Sequence, residues 1–201
     1  MRILGISGSL RRESHNSRLL RAAARSLPPG AELEVYENLA LIPPFDEDRE
    51  GDPPGAVLGL REEIAAADAL LFSTPEYNAS IPGVLKNAVD WASRPFPHNA
   101  LRDQPAAVIG TSTGLFGAVW AQAELRKVLR YAGAHVLDEE VPVPTADLAF
   151  TPEDELVMPD LGERLRDLLD ALVREAIAPL EAADSHPAPR RPGAVPAGAR
   201  T

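Results

Sequence analysis

Hydrophobic and polar residues follow two different periods along this chain. Short, nearly continuous apolar runs, such as the one that ends before Ser73, predict buried strands, whereas apolar residues three or four positions apart predict amphipathic helices. The predicted strands cover residues 2–6, 32–36, 69–74, 105–111 and 134–137, and the last could continue over 140–143. The predicted helices cover residues 17–26, 56–67, 82–92, 118–131 and 154–178, the last with an interruption or restart near Pro159.

Strand and helix alternate five times in this pattern, which favours a parallel sheet with helices on both faces. Right-handed crossovers leave few topologies for such a chain. The flavodoxin-like α/β fold, a three-layer sandwich with a five-stranded parallel sheet of order 2-1-3-4-5, fits the count. Its switch point falls between the first and third strands, and ligands bind at the carboxyl ends of strands around such a point. The loops after residues 6 and 74 are therefore the first places to look for a site.

The chain has 201 residues and a formal net charge of −10. This balance argues against nucleic acid and anionic membrane as partners, because both bind basic surfaces. No apolar run approaches the ~20 residues that cross a bilayer, and the amino terminus leads directly into a strand pattern without a signal peptide. We therefore expect a cytoplasmic protein. The absence of cysteine excludes a thiol nucleophile and cysteine-ligated metal sites.

Two segments do not fit the alternating pattern. Residues 37–55 form a long acidic connection rich in Pro and Gly, and a connection of this length is expected to be either functional or mobile. Residues 184–201 are rich in Pro, Ala, Gly and Arg and cannot bury enough apolar surface to offset the entropy of ordering. The sequence thus predicts one folded domain over residues 1–180 and a disordered tail over residues 184–201.

The loop over residues 8–17 carries the donors that a phosphate group requires. A helix start offers free N–H groups and the positive end of its dipole, while serines, Asn16 and the guanidinium of Arg11 or Arg12 add side-chain donors. Neither a Walker pattern nor a Gly-x-Gly-x-x-Gly fingerprint is present, so a terminal monophosphate fits better than a dinucleotide. The alternative is that Ser14 or Asn16 only caps the helix.

Two further loops at strand ends suit a flat ring. Residues 75–80 contain Tyr77, which could stack on a ring, and residues 112–117 are small enough to let a planar ligand approach the backbone. An ordinary turn is the alternative for each loop, and Tyr77 could be a simple surface aromatic. A monophosphate pocket beside such a cleft suits flavin mononucleotide (FMN), which carries its own redox chemistry.

No pattern in the sequence assigns a catalytic or metal-binding residue. The four histidines are scattered without metal-ligand spacing, and a Gly-x-Ser-x-Gly nucleophile elbow is missing. His15 could reach a phosphate, although a solvent-exposed side chain is the simpler expectation. The predicted site therefore consists of cofactor-binding residues alone.

Taken together, these stretches resemble the NAD(P)H-dependent FMN reductase family of flavodoxin-like proteins, which includes chromate, quinone and azo-dye reductases. The resemblance covers about residues 1–180 and rests on Gly8-Ser9-Leu10-Arg11 with Ser14 and Asn16, on Pro75-Glu76-Tyr77-Asn78 with Pro82-Gly83, and on Ser112 with Gly114 and Gly117. It implies that the first stretch binds the FMN phosphate and that the others line the ring. The predicted cofactor-binding residues are Ser9, Arg11, Ser14, Asn16, Ser17, Pro75, Glu76, Tyr77, Asn78, Ser112 and Gly114.

The resemblance also implies an activity and an assembly. NADPH or NADH would give a hydride to bound FMN, and an acceptor such as flavin, a quinone, an azo compound or a metal oxyanion would then be reduced at the same place. A homodimer or homotetramer with the flavin near a subunit interface is expected. Two alternatives are an electron-transfer flavoprotein without efficient NAD(P)H turnover and a binding module that has lost the flavin.

Overall fold

A computed structural model describes residues 1–184, with side chains described as far as residue 178. Strands and helices alternate along this part of the chain. They are β1 (Arg2–Ser7), α1 (His15–Ser26), β2 (Glu32–Val35), α2 (Gly55–Ala65), β3 (Ala69–Thr74), α3 (Gly83–Ala92), β4 (Pro105–Thr111), α4 (Val119–Ala132), β5 (His135–Val143) and α5 (Pro159–Asp184). Two short 3-10 turns, Leu39–Leu41 and Glu47–Arg49, lie between β2 and α2.

The strands form one parallel sheet of order β2-β1-β3-β4-β5, which confirms the predicted topology. Residues of the fully buried central strand alternate between two helical layers. Leu70 and Phe72 pack with residues of α2, α3 and α4, whereas Ala69 and Leu71 pack with residues of α1 and α5. Helices cover both faces, so the carboxyl ends of β1, β3 and β4 are the place where a sheet of this kind binds ligands.

The predicted bounds agree with the structure to within two residues for most elements. The first helix begins at His15 because the hydroxyl of Ser14 accepts a hydrogen bond from the Ser17 N–H at 3.2 Å and caps it. The fifth strand is continuous, with a register irregularity opposite Ala106 to Val108. The last helix begins only at Pro159, because the preceding residues form a turn closed by the Thr151 N–H and the Glu155 carbonyl at 2.8 Å.

The long acidic connection over residues 37–55 is fixed to α3. The Asn87 side chain donates to the Pro43 carbonyl at 2.8 Å and accepts from the Phe45 N–H at 2.7 Å. The indole N–H of Trp91 donates to the same Pro43 carbonyl at 2.9 Å. These bonds join the connection to a helix of the core, so its length does not make it a free loop.

Within residues 1–184, none of the helices combines the length and the hydropathy needed to cross a bilayer. The predicted disordered tail lies outside the described residues from residue 185 onward, and the predicted domain bounds stay predictions.

Candidate cofactor site

A pocket of about 120 Å³ opens at the carboxyl ends of β1, β3 and β4. Its lining combines all three loops that the sequence singled out. Of the predicted residues it includes Ser9, Arg11, Ser14, Asn16, Pro75, Glu76, Tyr77 and Ser112. It also includes His15, Thr111 and Thr113, which the sequence interpretation did not assign to the site. The lining does not include Ser17, Asn78 or Gly114.

Asn16 ties together the floor of the pocket. Its amide oxygen accepts hydrogen bonds from the Ser73 hydroxyl at 2.9 Å and the Thr111 N–H at 3.2 Å, and its amide nitrogen donates to the Thr111 carbonyl at 3.1 Å. All three residues are buried. One side chain of α1 thus fixes the ends of β3 and β4, and its polar atoms are largely used in that task.

Serines join the loop after β1 to the strand and to α1. The Ser17 hydroxyl donates to the Ser7 hydroxyl at 3.3 Å, which accounts for its place outside the pocket lining. The Ser9 hydroxyl accepts from the Arg11 N–H at 3.4 Å. A side chain at Gly8 would place its Cβ 2.9 Å from Leu85 of α3, so the loop lies tightly against that helix. These contacts hold Ser9 and Arg11 at the pocket mouth.

The loop after β3 contains a tight turn. Tyr77 and Ser80 exchange backbone hydrogen bonds at 3.0 and 3.1 Å, and the residues between them, Asn78 and Ala79, have φ values of 54° and 57°. Two consecutive positive φ values define the geometry in which Asn is well tolerated. Asn78 therefore serves the turn that presents Tyr77, a role the sequence did not distinguish from ligand binding.

Glu76 lines the pocket, but its carboxylate also binds the protein backbone. Its Oε2 accepts hydrogen bonds from the N–H groups of Trp120 and Ala121, at 3.0 and 3.1 Å, in the first turn of α4. In return, Oε2 of Glu124 in α4 accepts from the Ser80 hydroxyl at 2.6 Å and the Ile81 N–H at 3.3 Å. The two carboxylates fasten the loop after β3 to the start of α4.

The loop after β4 has a constrained backbone. Gly117 has a φ of 58°, and a Cβ there would lie 2.5 Å from the Pro142 carbonyl carbon, so only glycine fits. Ala118 also has a positive φ, and the Gly114 carbonyl accepts from the Thr145 N–H at 3.0 Å. Gly114 thus anchors the loop to the segment after β5.

His15 is not solvent-exposed, contrary to the expectation from sequence. Its side chain is 16% exposed, lines the pocket, and places Nε2 3.1 Å from Oδ1 of Asp147. Its Nδ1 is buried without a partner among the described residues. The acid partner lies far away in sequence, on the segment after β5, and no local signal could have identified it.

About one helical turn beyond His15, Arg18 and Arg21 of α1 bind the segment after β5, and these contacts are called the strap. Arg18 and Arg21 bind the carboxylate of Asp154 at 2.5 and 2.6 Å, and Arg18 also donates to the Thr151 carbonyl at 2.7 Å. Burial raises the pKa of Asp154, but the hydrogen bonds from Arg21 and Arg18 outweigh it and hold the pKa below its ordinary value. The strap supports the wall of the pocket that carries His15.

The donors of the pocket fit a monophosphate. The N–H groups of His15 and Asn16, at the start of a 12-residue helix, donate to no acceptor among the described residues. Arg11 is exposed and forms no ion pair with a described carboxylate. One carboxylate lines the pocket, and an oxygen of this group, in Glu76, already accepts two N–H bonds. The phosphate of FMN is therefore compatible with the end of the pocket at the start of α1.

Comparison with known proteins identifies the family. The profile of the NADPH-dependent FMN reductases matches residues 1–147. The chain belongs to the NADPH-dependent FMN reductase family. Like the other members of this family, it is an oxidoreductase that uses FMN as cofactor and NAD(P)H as electron donor, and its acceptor is a small molecule.

Individual relatives match most of the chain. An NAD(P)H-dependent FMN reductase of Pseudomonas aeruginosa is 46% identical, with 86% of this chain and 93% of the relative covered. A 2-hydroxy-1,4-benzoquinone reductase of Burkholderia sp is 36% identical, with coverages of 85% and 93%. The solved structure of a flavoenzyme NAD(P)H:(acceptor) oxidoreductase from Paracoccus denitrificans is 33% identical, with a TM-score of 0.77 and coverages of 88% and 97%.

Proposed function

We propose that the pocket binds FMN with its phosphate at the start of α1. Ser9, Arg11 and Ser14 contact the phosphate together with the free N–H groups of the first helical turn. The observation that carries this assignment is a set of N–H donors without acceptors among the described residues, beside two serines and a guanidinium that pairs with no described carboxylate. Asn16 and Ser17 contribute indirectly. Asn16 holds the ends of β3 and β4, and Ser17 holds the loop after β1.

Residues of the loops after β3 and β4 would hold the ring of the cofactor. They are Pro75 and Tyr77 after β3, and Ser112 and Thr113 after β4, because all four line the pocket. Three other predicted residues shape these loops. Glu76 caps α4, Asn78 forms the tight turn after β3, and Gly114 anchors the loop after β4. FMN supplies the hydride chemistry when bound. The protein positions the reactants and excludes water from between them.

The proposed acceptor is a quinone. The overall reaction is NAD(P)H + H⁺ + quinone → NAD(P)⁺ + hydroquinone, in which the nicotinamide loses two electrons and the quinone gains them with two protons. One proton arrives with the hydride and the other comes from the medium. Support comes from the Burkholderia relative, which is named for a benzoquinone and is covered over most of its length.

We further propose that the protein acts in the cytoplasm as a homodimer or homotetramer, without nucleic acid or membrane partners. The acidic charge balance supports the last point. Tyr131, an exposed aromatic side chain at the end of α4, supports contact between copies.

The experiment that tests the proposal is an absorbance spectrum of the purified protein loaded with FMN, followed by addition of NADPH without oxygen. Bleaching of the flavin band and its return on adding 1,4-benzoquinone are expected. Bound flavin that NADPH leaves oxidised would contradict the reductase activity. Return with ferricyanide but not with benzoquinone would contradict the quinone assignment alone.

A further inference from the structure

An aromatic pair lies on the loop after β4 and the first turn of α4, and neither ring belongs to the hydrophobic core. The rings of Phe116 and Trp120 meet edge to face, with centroids 5.0 Å apart and an interplanar angle of 64°. They are 62% and 50% exposed, and the neighbouring Leu115 is 77% exposed. Large apolar side chains displayed together on a surface mark a place where something binds.

Phe116 and Trp120 are outside the pocket lining, but two lining residues connect the pair to the pocket. Thr113, three positions before Phe116, lines the pocket, and so does Glu76, which accepts the hydrogen bond of the Trp120 N–H at 3.0 Å. The backbone of Trp120 is therefore one hydrogen bond away from a residue that lines the pocket. Its surroundings differ from the phosphate end, where Arg11 and His15 supply cationic or polar groups.

The backbone holds the pair rigidly. Gly117 and Ala118 have positive φ values, and Ala118 is fully buried. The Gln122 side chain donates to the Gly117 carbonyl at 2.9 Å, while Glu76 caps the next turn. An aromatic side chain on a flexible loop loses conformational entropy when a ligand binds. Because this backbone is already fixed, the entropy cost of binding at Phe116 and Trp120 is smaller.

A planar small molecule fits this wall better than a second copy of the chain does. A larger apolar concavity of about 770 Å³ lies between α3 and α4, lined by side chains such as Phe45, Val128 and Tyr131. That surface is the better candidate for contact between copies. The aromatic pair is small, adjoins the site, and offers ring faces and edges of the kind that stack on flat rings.

We infer that Phe116 and Trp120 form an acceptor-binding wall, in which Trp120 determines specificity for planar, uncharged ring acceptors over charged ones that cannot stack. This inference rests on the proposed function, because it assumes that electrons leave the site to a quinone. The wall binds the acceptor ring next to the flavin, and no proton or electron passes through the indole itself.

The test compares holoenzyme variants with two acceptors at saturating NADPH, 1,4-benzoquinone and ferricyanide. For Trp120→Ala, the ratio of kcat/KM for benzoquinone to kcat/KM for ferricyanide falls about five- to tenfold, mainly through KM, and Trp120→Phe restores most of it. The control is Leu58→Ala, an exposed apolar side chain on α2 that does not line the pocket, which leaves the ratio unchanged.

A binding measurement keeps the inference separate from turnover. The chain has two tryptophans, and Trp91 is fully buried while Trp120 is half exposed. Acrylamide quenching of the holoenzyme therefore reports on Trp120, and hydroquinone is expected to protect it. Protection without benzoquinone turnover would overturn the proposed acceptor and leave the wall in place.

Three results would overturn the inference that Phe116 and Trp120 bind the acceptor. One is an unchanged acceptor ratio in Trp120→Ala. Another is quenching of Trp120 that hydroquinone does not reduce. The last is dissociation of the oligomer by Trp120→Ala in sedimentation velocity, together with loss of the ratio, which would make the pair a contact between copies.

Discussion

Glu76 and Glu124 brace the same two elements in opposite directions. Glu76 reaches from the loop after β3 to the first turn of α4, and Glu124 reaches from α4 back to Ser80 and Ile81 of that loop. Each carboxylate accepts two hydrogen bonds, so neither end of the pair can move without leaving donors unpaired. The loop after β3, which is proposed to hold the flavin ring, is therefore fixed by protein contacts alone.

The first prediction concerns this brace. Glu76→Ala is expected to lower the free energy of unfolding by about 1–2 kcal/mol, since it removes the side-chain cap of α4, and Glu76→Gln by less because it keeps an acceptor. Urea unfolding of the apoprotein measures the change. Glu62→Ala, an exposed glutamate in α2, is the control and should change stability little. Equal losses in Glu76→Ala and Glu62→Ala would contradict the brace.

The second prediction concerns the floor of the pocket. Asn16→Ala leaves the Ser73 hydroxyl and both backbone groups of Thr111 without partners in a buried place, so we expect a loss of about 2–4 kcal/mol. Asn38→Ala is the matched control, because Asn38 is exposed and its side chain caps nothing. Urea unfolding midpoints at equal slope decide between the two. A loss in Asn16→Ala no larger than in the control would remove Asn16 from its structural role.

The third prediction separates two adjacent arginines. Arg11 lines the pocket and Arg12 does not, although both are exposed. Arg11→Ala is expected to weaken FMN binding by about 1.5–3 kcal/mol, the range for hydrogen bonds to charged groups, while Arg12→Ala leaves it within error. Fluorescence titration of the apoprotein with FMN measures both. If the two variants bind FMN equally well, Arg11 does not contact the phosphate.

The fourth prediction follows from the lowered pKa of Asp154. A lowered folded-state pKa means that the Arg18 and Arg21 contacts add stability above the ordinary Asp pKa, and this stability is lost as the pH falls through the lowered value. Asp154→Asn should therefore cost about 1–3 kcal/mol at pH 7, and the gap from the parent protein should narrow in acid. Asn tolerates the positive φ at this position, so the change adds no backbone strain.

Urea unfolding of both proteins from pH 7 down to pH 3 measures this gap. Glu153→Gln, an exposed neighbouring acid, is the control and should show no such narrowing. A gap that stays constant down to pH 3 would mean that the strap is not held by the ionised carboxylate.

The sheet order and the meeting of three loops at one pocket were predictable from sequence because both depend on local patterns. Apolar runs and helical periods give the alternation, and loops rich in Ser, Asn and Gly mark the strand ends. Ser14 marks the start of α1 in the sequence. Because Ser14 caps the helix, α1 begins at His15, two residues earlier than the apolar period predicted. The family resemblance then pointed to FMN.

The division of labour inside the site was not predictable. Asn16 and Glu76 have the chemistry of ligand-binding residues, yet their partners are Thr111 and the first turn of α4, which are distant in sequence. His15 was expected to face solvent because nothing nearby reveals Asp147. A polar side chain in a loop can face a ligand or another loop, and only the packing decides.

The three bonds of Asn16 also bear on how the sheet selects its pairing during folding. A slip of β3 against β4 by one residue would turn Ser73 to the opposite face of the sheet, because side chains alternate along a strand. The Asn16 amide would then be buried without its partners. The same side chain that closes the pocket floor thus discriminates against misregistered sheets, so a chain that completes this hydrogen-bond set has aligned its central strands correctly.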